Sequence, residues 1–101
     1  MPGKARYYWY AHVKRTIERY PDGLDLKTNQ GAIAYASISR VIEDTRKIQD
    51  GEDRVRLVKM LCWDKSHTID GAASVLHISS ITAHRWWHAF IYAVAKELGF
   101  Y

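Results

Sequence analysis

The chain has little that would staple or interrupt a fold. Its 101 residues include one cysteine, Cys62, with two prolines and six glycines scattered along the chain. A lone cysteine excludes an intramolecular disulfide framework and fits a reducing compartment. No long apolar run and no signal-peptide pattern are present, so the expectation is a soluble, cytoplasmic protein with no membrane partner. No segment alternates apolar with polar residues, which argues against strands. There is no internal repeat, no glycine-rich phosphate loop, no nucleophile elbow and no spaced carboxylate pair. No catalytic residue is therefore expected, and the chain does not read as an enzyme. Cys-x-x-Cys and His-Glu-x-x-His are also missing. His84 and His88 lie four apart, a spacing that can hold zinc, but a third ligand would have to come from His67, His77 or Cys62. The expectation is exposed histidines, with no metal site and no cofactor.

Apolar residues, by contrast, are plentiful. Hydrophobic side chains make up 48% of the chain, enough for one real core in a domain of this length. The net charge of +4 is unevenly placed. Residues 1–20 carry Lys4, Arg6, Lys14, Arg15 and Arg19 against Glu18 alone. The rest of the chain is balanced. A basic segment attracts polyanions by neutralising phosphates, which makes Lys4, Arg6, Lys14 and Arg15 candidate phosphate contacts. The alternative is a solvated, mildly basic helix face.

Five helices follow from the apolar periodicity, so the fold class is all-α. The first covers residues 7–20, with Tyr10, Val13, Ile17 and Tyr20 at helical spacing. Its aromatic run Tyr7-Tyr8-Trp9-Tyr10 is best read as core cover, although aromatics among basic residues can also stack on unpaired bases. Tyr20-Pro21-Asp22-Gly23 reads as a turn. The second helix spans 31–48, with Ala34, Ile38, Val41, Ile42 and Thr45 on one face and Asp50-Gly51 ending it. The third spans 52–63, with an acidic start and a stripe of Val55, Val58, Leu61 and Cys62.

Residues 66–101 read as a helix-turn-helix following a helical segment, 1–65, with a basic first helix; the two form one compact unit. Thr68 is a good N-cap, and Ile69, Ala72, Ala73 and Leu76 share one face of a short helix. His77-Ile78 makes the turn, although His77 stands where a glycine more often supplies φ > 0. Ser79 caps the last helix, whose apolar stripe is Ala83, Trp86, Phe90 and Val94. Trp86 should be buried there, and Trp87, about 100° round the helix, should be buried less. The other face carries Ser80, Ile81, His84, Arg85 and His88, a mixture suited to base edges and phosphates, and Ser79 joins Ser80 as a candidate contact to phosphate or base edges. In the major groove, Arg85 is the candidate for a guanine and Ile81 for a thymine methyl.

The stretch from Thr68 to Phe90, closing with Ala95-Lys-Glu-Leu-Gly99, resembles the C-terminal part of the RinA-type phage transcriptional regulators. The shared positions are Thr68, Asp70, Gly71, Ala73, Ser79, Thr82, Ala83, Arg85, Trp86, Ala95, Lys96, Glu97, Leu98 and Gly99. Ile42-Glu-Asp-Thr45 and Met60-Leu-Cys-Trp63 extend the likeness over residues 40–100, while Trp87 and His88 depart from it. The resemblance implies a helix-turn-helix similar to region 4 of sigma factors. It further implies a sequence-specific regulator of late phage or prophage genes in a bacterial host cell. The expected partner is double-stranded DNA, with host RNA polymerase and a second copy of the chain as further candidates. Two other functions fit the same pattern: a small terminase-like packaging protein, and a protein-interaction module that does not bind DNA.

Overall fold

Local signals in the sequence set most of the helix ends. In the computed structural model, which describes residues 8–100, helix α1 runs Tyr10–Arg19 and α2 runs Asn29–Arg46. α3 runs Gly51–Val58 and continues as a π-helical turn, Lys59–Trp63; α4 is Ile69–Leu76 and α5 is Ser80–Glu97. Among the described residues there is no strand, and the protein is all-helical. None of the described helices is long and apolar enough to cross a membrane.

α1 begins after Trp9 rather than at Tyr7, which lies outside the described residues. α2 begins two residues earlier than its apolar pattern suggests. Thr28 caps it, accepting from the Gly31 N–H at 3.0 Å, while the Thr28 hydroxyl donates to the Asp25 carbonyl at 2.9 Å. Asp50-Gly51 does not end α2 but starts α3. Asp50 is left-handed, at φ 60°, and Gly51 is the first helical residue. A Cβ on Gly51 would overlap the Thr45 and Arg46 carbonyls, so only glycine lets α3 start this close to the end of α2. In the π-helical turn the Asp64 N–H reaches back five residues to the Lys59 carbonyl at 2.8 Å. There Cys62 is buried, and the Trp63 Nε1–H donates to the Ile17 carbonyl of α1 at 2.9 Å.

α5 is the centre of the assembly and packs against all four other helices. The largest fully buried side chains come from α1 (Val13, Ile17), α2 (Ile38), α3 (Leu57, Val58) and α5 (Ile91, Val94). Each such aliphatic side chain contributes about 1.5–3 kcal/mol by leaving water. Leu57 falls outside the expected α3 stripe and is buried because α3 packs on α2, α4 and α5 together. The aromatic run at the start of α1 divides. Trp9 and Tyr10 are buried against Tyr92, and Trp9 also meets Phe100, whereas Tyr8 is 90% exposed.

Candidate nucleic-acid interface

The α4–turn–α5 unit is defined at both helix starts by hydroxyl caps. The Gly71 N–H donates to Thr68 Oγ1 at 3.1 Å, and the Thr82 N–H donates to Ser79 Oγ at 3.0 Å. Between the helices His77 takes the left-handed conformation, φ 58° and ψ 42°. The Ile78 N–H then reaches the Ala73 carbonyl at 3.0 Å, and the His77 N–H reaches the Ser74 carbonyl at 3.2 Å. This pattern is a Schellman ending, built on histidine instead of glycine. The same device closes α5 with Gly99 at φ 87°, where the Phe100 N–H reaches the Ala95 carbonyl at 2.9 Å. Ala72, Ala73 and Ala83 are buried, so small side chains stand where α4 and α5 approach each other.

On the first half of α5, Ile81, His84 and Arg85 are exposed and His88 is half-buried. Their spacing of three, four and seven residues puts them on one stripe. Ile81, at 66% exposure, is a large apolar side chain displayed to solvent. Arg85 makes no ion pair among the described residues.

Ser79 and Ser80 have structural duties. The Ser79 hydroxyl, besides accepting from the Thr82 N–H, donates to Thr82 Oγ1 at 3.0 Å. The Ser80 hydroxyl donates to the Asp70 carboxylate and so ties the start of α5 to the first turn of α4. His88 differs from an open groove-facing residue. Its Nδ1 lies 3.5 Å from the Tyr10 hydroxyl, and its ring meets those of Tyr10, His84 and Tyr92.

Trp87 corrects the expected facing of α5. It is 7% exposed against 8% for Trp86, so both rings are buried. Trp86 faces Phe90, Thr45 and Ile48, with the Arg54 guanidinium 5.1 Å from its centroid. That placement is a cation–π contact. Trp87 lies on the other flank, toward α1 and the π-helical turn. Trp87, Ile91 and Ala95 repeat at intervals of four as a second buried stripe beside the first. The two stripes together make an apolar arc wider than a surface helix needs.

The proposed phosphate contacts also separate. Lys4 and Arg6 lie outside the described residues. Lys14 lines a cleft of about 390 Å³ together with Tyr10, Glu18, Cys62, His84 and His88. Arg15, one residue on, is exposed and does not line that cleft. Glu18 and Tyr10 had no signal in the sequence marking them as neighbours of α5; only the packing of α1 on α5 brings them there. Burial pushes the Cys62 thiol up to about 12, and Glu18 adds to the shift against the opposing charges of Lys14 and Lys65. The thiol at the cleft floor is therefore neutral at physiological pH. Among the described residues no group of three or more His, Cys, Asp or Glu side chains is placed to hold a metal ion.

No family model, no curated protein and no solved structure matches the chain.

Proposed function

We propose that the protein is a DNA-binding transcriptional regulator of the RinA type, acting on phage or prophage genes. In this reading α5 lies in the major groove with its first half toward the bases, and α4 crosses the backbone. The observation that carries it is the stripe of Ile81, His84 and Arg85, exposed on a helix whose other faces are buried in the core. A helix held this firmly presents its side chains from a backbone with little conformational entropy left to lose. Arg85 supplies a bidentate fork for guanine O6 and N7, and Ile81 supplies an apolar contact for a thymine methyl. Ser79 and Ser80 act indirectly, by fixing where α5 starts, and Lys14 supplies sequence-independent affinity.

Selection from a pool of random duplexes tests the reading. The expected result is enrichment of one short sequence, with an affinity that falls steeply as salt rises. Recovery of no enriched sequence, together with salt-insensitive or absent duplex binding, would overturn it.

A further inference from the structure

The cleft beside the α5 stripe brings together one ammonium, two imidazoles, one phenol and one carboxylate. Lys14 of α1 shares it with His84 and His88 of α5, whose ring centroids are 6.4 Å apart. Tyr10 brings a hydroxyl within 3.5 Å of His88 Nδ1, and Tyr92 closes on the same imidazole. Lys65, in the loop before α4, is near enough that its charge acts on the Cys62 sulfur, as does that of Lys14. Glu18 is the one carboxylate lining the cleft, and it makes no ion pair with Lys14 among the described residues. The neutral Cys62 thiol adds no negative charge at the floor. Trp87 also lines the cleft but is too buried to serve as a stacking platform for an unpaired base. Apart from Glu18, the polar groups that remain are N–H and O–H donors around the Lys14 ammonium, the chemistry that recognises a phosphate.

We infer that this cleft is a phosphodiester site, holding a backbone phosphate of the DNA strand whose bases meet Ile81 and Arg85. The inference rests on the reading of α5 as the recognition helix, and it assigns Lys14, His84 and His88 to one contact. Two consequences follow that a general basic surface would not give. Glu18 opposes the phosphate, so its charge holds affinity down. A phosphate beside an imidazole favours the protonated form, so binding takes up protons and weakens as pH rises through the histidine range.

The test is fluorescence anisotropy of the full chain on a selected duplex and a random duplex, at two salt concentrations and from pH 6 to pH 8. Lys14→Ala is expected to weaken binding to both duplexes alike and to reduce the salt slope by about one. Arg15→Ala, on a neighbouring face of α1 outside the cleft, should change the slope less. Glu18→Gln should tighten binding several-fold, a gain that partial unfolding cannot imitate. The wild-type affinity should fall with rising pH, by at most about tenfold per pH unit for each proton taken up, and His84→Gln should flatten that dependence. Wild-type binding that is independent of pH, with Glu18→Gln neutral and Lys14→Ala equal to Arg15→Ala, would overturn the cleft assignment and leave the role of α5 standing. Absence of duplex binding by the wild type at every pH would overturn both.

Discussion

Residues 89–97 of α5 expose only Ala89, Lys96 and Glu97, with Phe90, Ile91, Val94 and Ala95 buried. Residues 80–88 expose Ser80, Ile81, His84 and Arg85, with Ala83, Trp86 and Trp87 buried. One continuous helix is thus covered over residues 90–95, where none is exposed, and open along one stripe at its N-terminal end. The difference comes from its neighbours. On the later turns Trp9 and Tyr10 at the start of α1 meet Tyr92, and Arg40 of α2 meets Glu97. On the earlier turns α1 and α2 reach Trp87 and Trp86 and leave the stripe open. A surface that must enter a groove has to project, and a side chain that must hold a defined position has to be anchored. Here the anchoring lies on the same turns, through Trp86 and Trp87, on the faces turned away from the stripe.

The comparison can be broken by stability measurements, taken in order of expected size. Trp86→Ala and Trp87→Ala should each cost about 3–5 kcal/mol in chemical denaturation, because both rings are buried. If Trp87→Ala were nearly neutral, the second buried stripe would be wrong. Ser79→Ala should cost about 1 kcal/mol, by removing the acceptor for the Thr82 N–H. Ser79→Asp, which keeps an acceptor, should restore most of that loss. Ile81→Ala should move stability by no more than about 0.5 kcal/mol, as exposed substitutions do. A larger loss would mean that Ile81 is packed against something and is not displayed.

Much of the candidate interface was legible because its determinants are local. Thr68 and Ser79 cap the helices they were expected to cap, and the turn falls at His77, since caps and Schellman endings depend on residues within one turn of each other. Histidine at the left-handed position follows from the same geometry, which needs a positive φ and tolerates this residue. What escaped is tertiary. The angle of Trp87 from one apolar stripe predicts that it is buried less than Trp86, yet Trp87, Ile91 and Ala95 make a second stripe. An arc this wide marks a helix at the centre of a fold. The separation of Lys14 from Arg15, and the presence of Glu18 beside His84 and His88, depend on how α1 docks on α5. Periodicity within α1 gives its buried side but not its partner.

The central claim is that the first half of α5 reads bases while its other faces only hold it in place. Arg85→Ala tests this most directly, in competition binding of the selected duplex against random duplex with stability measured on the same sample. The account predicts a loss of about 1–3 kcal/mol confined to the selected duplex, relaxed discrimination at one base pair, and a stability change within about 0.5 kcal/mol. An unchanged ratio of selected to random affinity in a folded Arg85→Ala protein would contradict it.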